Sequence, residues 1–359
     1  MTNGVYILAN DVVFDQLIAL INSLEQNVSK DLPICIVPYD DNTQRSRAIT
    51  QQYPQVQWFN DQAALEKWET FATKIWQMHP IAFKNWAKRG VSGVNRLGMH
   101  RRFCCFDGPF DRFIYLDADI LAMNSLDILF DSLDHHDFVT YDFQYKDLGH
   151  VYDITAKKLT QVFEPSRLQT EIFCAGLYAS KKSIFTDTLL TELLSHLKDG
   201  DAEILYPNGP DQSILNYMVM KSGITAANLA RTLPPQKRTG CCVTSNHFTE
   251  SNHLLFDAQT QLTYLHYIGV GSQFFKRICA GENVLFPYRN LFLHYRYLKE
   301  PAARLPLTGP PAHYQQPTLN KQQQLARKAR QLITACKKLP GQTTAIPREK
   351  FAAILRRNG

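Results

Sequence analysis

No stretch of this chain approaches the roughly 18 consecutive apolar residues of a membrane-spanning helix. The first residues, Met1-Thr2-Asn3-Gly4, carry no basic side chain and run straight into an apolar segment, so no secretory signal is expected. Two standard phosphate cradles are missing: there is no Gly-x-Gly-x-x-Gly after the first apolar run and no Walker sequence. The eight cysteines form no Cys-x-x-Cys pair, which argues against a zinc site. Most stand among apolar residues and read as small core side chains of a reduced, cytoplasmic chain. Acids are nearly absent from the C-terminal segment, where from residue 318 onward ten Lys/Arg meet one acid, Glu349. That tail carries a net +9 and the remainder −3, within a total of +6. Phe351 is its only aromatic residue, and a basic arm without interleaved aromatics argues against nucleic acid as the partner.

What the chain does have is a globular composition over 359 residues, 45% hydrophobic and 20% charged, enough for one large domain or two ordinary ones. It is organised around residues 113–121, Phe-Ile-Tyr-Leu-Asp-Ala-Asp-Ile-Leu. A short, β-rich apolar run of this kind reads as a buried strand. Acids are tolerable only at its end, where a cation or hydrogen bonds satisfy them. Side chains at i and i+2 of an extended chain point the same way, so Asp117 and Asp119 are expected to face one ion. Hard carboxylate oxygens suit Mn²⁺ or Mg²⁺. The competing reading, a surface turn with two solvated acids, is opposed by the apolar flanks.

Upstream, Val5-Tyr6-Ile7-Leu8-Ala9 is expected as a strand, followed by a helix capped by Asn10 with Val13, Leu17, Leu20, Ile21 and Leu24 inward. Ile34-Cys35-Ile36-Val37 and Val56-Gln57-Trp58-Phe59 are further strands, the first closing at Asp40-Asp41. Alternating strands and helices predict a parallel sheet that binds ligands beyond the carboxyl ends of its strands. Asn10, Asp40, Asp41, Asp117 and Asp119 would share that edge. Residues 62–90 read as helices, with Trp68, Phe71, Ile75, Trp76, Phe83 and Trp86 as core. A helix over residues 93–106 carries Arg96, Arg101 and Arg102, placed either for a diphosphate or for solvent. Downstream, residues 138–141 and 173–179 are strand-like, and Gly176 inside the second marks a close backbone approach. Residues 184–197 form an amphipathic helix, and Asp211 is placed as the N-cap of the next. His266 ends a short strand before a glycine-rich loop, a position that favours ligation. Five prolines in residues 301–317 predict a linker or an extended wrapping segment. Residues 321–338 read as a basic amphipathic helix, suited to an anionic membrane surface or to plain solvation.

Four segments together, Tyr115–Leu121, Phe173-Cys174-Ala175-Gly176, Asp211-Gln212-Ser213-Ile214-Leu215-Asn216 and His266-Tyr267-Ile268-Gly269, resemble family-eight glycosyltransferases in order and spacing. That family includes glycogenin and bacterial lipopolysaccharide galactosyl- and glucosyltransferases, and the resemblance spans about residues 3–278. It implies the GT-A fold, a single mixed, mostly parallel sheet flanked by helices, over residues 1–300, followed here by a linker (301–317) and a basic helical tail (318–359). It implies a retaining transfer of a hexose from a nucleotide sugar, with UDP-glucose or UDP-galactose first in line. Asp117, Asp119 and His266 would hold Mn²⁺ (or Mg²⁺) on the diphosphate, with the Ala118 backbone against the ribose. Asp211 would bind donor hydroxyls, and Gln212 would stand beside the anomeric carbon. Asn10 and Asp40 or Asp41 would meet ribose and base, and one of Arg96, Arg101 and Arg102 would supply a basic group near the diphosphate.

Three positions depart from the family pattern. Ser272 replaces the lysine of His-x-x-Gly-x-x-Lys-Pro-Trp, leaving Lys276 to reach the diphosphate; Cys174 replaces the asparagine of Asn-Ala-Gly; and Ser213 replaces the second acid of Asp-Gln-Asp. The acceptor, a saccharide, lipid or protein, stays open at this level. One rival, a phosphohydrolase with its own Asp-x-Asp, places that motif on the first strand, whereas here other strands precede it. A second rival is a non-catalytic sugar-nucleotide-binding or scaffolding protein of the same fold. The tail is testable directly: deletion from Thr318 should weaken sedimentation with anionic vesicles while leaving activity on soluble acceptors, and equal vesicle binding by the truncated form would remove the membrane role.

Overall fold

The computed structural model describes residues 1–245 and 247–314. The parallel half of a seven-stranded sheet is built from β1 (Asn3–Ala9), β2 (Ile34–Pro38), β3 (Val56–Trp58) and β4 (Arg112–Asp117). After the short β5 (Ile120–Ala122) come β6 (Phe138–Thr140), β7 (Leu177–Lys181) and β8 (Ala226–Asn228), which complete the order β3-β2-β1-β4-β7-β6-β8. β7 runs antiparallel to both β4 and β6, and β6–β8 is parallel. The expected architecture, a mixed, mostly parallel sheet flanked by helices, is the observed one.

Unbroken apolar strands are explained by burial on both faces. Val5, Ile7 and Ala9 join the core under the helix Phe14–Asn27, while Tyr6 and Leu8 join the opposite core under the helix Gln62–Met78. In that second core Trp68, Phe71, Ile75, Trp76 and Trp86 are buried and Phe83 packs against them half-buried. Asn10 caps the 3-10 turn Asp11–Val13 that precedes the first helix, accepting from Val12 N.

Three local expectations need correction. The helix over residues 93–106 is instead a 3-10 helix, Leu97–Phe106, entered through Arg96 at φ 54°. Gly98 is required there, because a Cβ would stand 2.2 Å from the Tyr39 carbonyl oxygen. The run 173–179 is strand only from Leu177; residues 173–176 peel away from the sheet towards the site. Asp211 is the second residue of the helix Pro210–Lys221, whose N-cap is Gly209, because Pro210 is preorganised for the first helical position.

The C-terminal third adds β9 (Thr249–Ser251), β10 (Leu254–Asp257) and β11 (Thr260–Gln261), a small antiparallel sheet, and then β12 (Tyr264–His266), which pairs with β5. β13 (Glu282–Leu285) pairs in parallel with β14 (Thr308–His313). β14 lies inside the proline-rich stretch expected as a linker, so that stretch is folded onto the body as far as residue 314. The expected basic tail, 318–359, lies outside the described residues. Among the described residues no helix is long and apolar enough to cross a membrane.

The helix Arg289–Arg296 closes on the first helix, with Arg296 Nε 2.7 Å from Asp15 Oδ1 and Asn22 Nδ2 2.7 Å from the Tyr295 carbonyl. Both members of the ion pair are nearly buried. Asp15→Ala should therefore cost roughly 3 kcal/mol in urea unfolding, the lower end for a broken buried pair because Glu300 still meets Arg296 Nη1. Asp15→Leu combined with Arg296→Met should recover most of it.

Candidate active site

β4 delivers Asp117 as its last residue, and the tight passage into β5 delivers Asp119 two residues on. The β5–β12 pairing sets His266 opposite Ile120, and Tyr267 N donates to the Asp119 carbonyl at 2.9 Å. His266 Nε2 thereby lies 3.2 Å from Asp119 Oδ1 and 4.0 Å from Asp117 Oδ2. One ligand atom from each of the three residues lies within 4.8 Å of the others. Two residues 119 and 266, remote in sequence, thus meet through one strand pair.

The field at this cluster is that of a cation site. Burial alone would suppress charge on His266, but Asp119, together with the neighbouring Cys174 thiol, outweighs it and holds the imidazole pKa well above its ordinary value. Burial raises the Asp117 carboxyl pKa, with Asp119 adding to it and Arg102 and His266 opposing. Two carboxylates and an imidazole that recruit a positive charge between them form a donor set fitting Mn²⁺ or Mg²⁺. When bound, such an ion would supply positive charge to a leaving diphosphate.

Gly176 lines the other side. Its carbonyl accepts from Asp117 N at 2.8 Å. A Cβ there would fall 2.3 Å from His266 Cε1 and 3.1 Å from Asp117 Oδ2. The close approach expected at this glycine is to the cluster itself.

Arg102 is the buried hub behind the cluster. Its side chain is 2% exposed and places Nη2 3.0 Å from Asp117 Oδ1 and Nε 3.1 Å from Asp211 Oδ2. Nη1 donates to the Ala175 carbonyl at 2.9 Å, and the guanidinium stands 4.7 Å from the Tyr115 ring centroid. Burial disfavours its charge, and the two carboxylates more than reverse this, so its pKa rises. Arg102 is therefore not a group held out for a diphosphate. Arg101 is not either: its Nε binds Glu69 at 2.6 Å and its Nη1 binds the Pro38 carbonyl at 3.1 Å. The reason is the 3-10 period, in which residues three apart align. Within the helix positions 99 and 102 share one face and position 101 is rotated away from it, while Arg96 stands at the left-handed N-cap outside the period. Arg96 is the arginine that lines the cleft, beside Met99.

That cleft, about 430 Å³, opens over the carboxyl ends of β1 and β4. Asn10, Asp40, Asp117, Ala118 and Asp119 line it, as do Val12, Tyr39, Val270 and Ser272. Asn10 Nδ2 donates to Asp40 Oδ2 at 2.9 Å. Asp41, by contrast, is exposed and outside the lining, because the Asp40 side chain turns inward while capping Asn42 N. Lys276 is also exposed and outside it. The helix Ser272–Cys279 starts at the cleft, and Lys276 is a full turn farther along.

Gln212 is held at both polar atoms: Oε1 accepts from Ala175 N and Nε2 donates to the His150 carbonyl, each at 2.9 Å. One turn on, Asn216 clamps Phe173 through its N–H and carbonyl, 2.9 Å each. Cys174 N donates to Asp142 Oδ2 at 3.0 Å, and burial pushes the Cys174 thiol pKa up. Sequence reasoning assigned no role to Tyr115, Asn216 or Asp142. The first two had a signal: Tyr115, whose hydroxyl donates to Asp117 Oδ1 at 2.8 Å, is two residues before Asp117 on a strand, and Asn216 is four after Gln212 on a helix.

A family model described as "Mannosyltransferase putative" matches residues 2–199, more than half of the chain. The chain belongs to this family. Sugar transfer is accordingly its class of activity, and it is a glycosyltransferase. The matched segment holds β1 to β4, Asp117, Asp119 and the 173–176 segment; Asp211, Gln212 and His266 follow it. No curated protein matches the chain. Among solved structures it resembles the WbbM bifunctional glycosyltransferase, at 16% identity and TM-score 0.49 over 85% of this chain and 52% of that one. It thus spans about half the length of WbbM. Mouse xyloside xylosyltransferase 1 gives 12% identity and TM-score 0.46 over 64% and 85%, and the galactosyltransferase LgtC 15% and 0.46 over 81% and 100%.

Gly176→Ala is the sharpest test of the site's packing. The methyl group should lower Mn²⁺ affinity by at least about tenfold through displacement of His266 or Asp117, read by calorimetry. Wild-type affinity in this variant would show that the segment is not packed on the cluster.

Proposed function

We propose that this glycosyltransferase is a metal-dependent, retaining hexosyltransferase of the family-eight type that uses a nucleotide-diphosphate sugar. The observation that carries the reading is the cluster Asp117, Asp119 and His266, whose two acids line a cleft at the carboxyl ends of parallel strands with the buried His266 behind them. In this reading these three hold Mn²⁺ or Mg²⁺. Asn10 and Asp40 meet base and ribose, the Ala118 backbone lies against the ribose, and Arg96 reaches the diphosphate. Asp211, fixed by Arg102, takes donor hydroxyls, and Gln212, fixed at both ends, faces the anomeric carbon. UDP-glucose and UDP-galactose remain the first donor candidates; the family description adds a mannosyl donor. The acceptor is a saccharide, a lipid or a protein.

A second reading, a sugar-nucleotide-binding protein without catalysis, is favoured by one observation: Ser272 stands in the cleft lining where the resemblance places a lysine, and Lys276 does not replace it. Calorimetric titration of UDP and of GDP, each with Mn²⁺ and with EDTA, tests the shared part. Binding that requires Mn²⁺ is expected for one of them, and Asp119→Asn should abolish it without lowering the unfolding temperature. Hydrolysis of the matching nucleotide sugar then separates enzyme from binder. No Mn²⁺-dependent binding of either nucleotide would sink both readings.

A further inference from the structure

One polar group beside Gln212 is left without a partner. His150 ends the 3-10 turn Leu148–His150, which is capped by Asp147 through Gly149 N at 3.1 Å. Its carbonyl is the one that accepts from Gln212 Nε2. Its imidazole has both nitrogens shielded from solvent and neither hydrogen-bonded among the described residues. The Asp147 main chain approaches the ring without meeting hydrogen-bond geometry, and Asp142 and Asp147 are the acids that face it. A buried polar group without a partner is costly, and one beside a site calls for an explanation such as a functional role or a bound water or ligand. The residue as a whole is only half-buried. A half-turn about χ2, a soft torsion, exchanges the places of the ring nitrogens and ring carbons.

The chemistry of the ring selects the ligand. Burial lowers its pKa against the pull of Asp142 and Asp147, so the ring is neutral at neutral pH. A neutral imidazole offers one donor and one acceptor. A hydroxyl can answer either nitrogen, and adjacent hydroxyls both; a phosphate only accepts and would favour the charged ring. Position agrees. A chain of contacts runs from Asp117 through Arg102 and the Ala175 main chain to Gln212 and then to His150. His150 thus stands at the end remote from the metal-type cluster, where a sugar would lie rather than its diphosphate.

We infer that His150 is a specificity-determining contact for sugar hydroxyls in this site, an inference that rests on the sugar-transfer reading above. The hydroxyls belong to the transferred hexose or to the acceptor, and the experiment separates the two. His150→Phe fills the same volume without polar atoms, and His150→Gln restores a donor and an acceptor. Both keep the main-chain carbonyl that holds Gln212. In full-length protein with Mn²⁺, thermal unfolding and the affinity for UDP or GDP should be unchanged or improved in the Phe variant. With UDP-glucose, UDP-galactose and GDP-mannose as probes, a donor contact should raise the hydrolysis KM about tenfold for the Phe variant, with partial recovery for Gln. An acceptor contact should leave that KM alone and lower transfer to methyl hexosides by a similar factor. Both outcomes support the inference and name the source. Unchanged kinetics in both assays would overturn it while leaving the sugar-transfer reading intact. A parallel loss of stability and nucleotide affinity would also overturn it, as a structural role. Failure of wild-type protein to bind any probe would overturn both.

Discussion

A buried guanidinium between two carboxylates governs the arrangement of this site. Arg102 is too deeply placed to exist as a cation without the Asp117 and Asp211 carboxylates beside it. The pair of contacts ties the end of β4 to the first turn of the helix Pro210–Lys221. Because the same guanidinium also holds the Ala175 carbonyl, the 173–176 segment is fixed to both. Three chain segments separated by long insertions are thereby held at one place, and the residues they present are oriented by packing rather than by free rotation.

In front of this hub the charge balance reverses. Asp119 and the second oxygen of Asp117 stand against the buried His266, and the imidazole pKa is driven up in response. The structure therefore separates two tasks that the acidic strand combines in sequence. One oxygen of Asp117 is satisfied internally by Arg102 and Tyr115, and the other is turned towards His266, 4.0 Å away. Tight packing enforces this separation. Gly176 leaves no room for a side chain, and Asn216 and Gln212 grip the main chain on either side of Cys174.

The side of the cleft at β1 and β2 is built differently, from strand ends and a helix start. Asn10 bonds at once to the following turn and to Asp40, so β1 and β2 present one joined surface. Arg96 reaches this surface through a left-handed backbone position at the entrance to a 3-10 helix. Met99, in the first turn of that helix, lines the cleft beside Arg96, and Arg101 is directed away to Glu69.

Much of this was legible in the chain. Periodicity marked the strands and the aromatic helices, because burial on two faces leaves unbroken apolar runs and burial on one leaves a stripe. Asp117 and Asp119 were legible as a pair at the end of the apolar run, but the strand stops at Asp117 and a turn at residues 118–119, not an extended spacing, brings them to one cluster with His266. Which arginine meets which acid was decided only by the fold. A 3-10 helix and an α-helix share the same residues but rotate successive side chains by different angles, and local sequence does not separate them. Tertiary structure likewise decided that Asp40 and not Asp41 enters the cleft, that Lys276 stays a turn away, and that part of the proline-rich stretch pairs as β14. Each depends on what a distant segment offers as a partner, and a side chain's own neighbours in sequence carry no record of that.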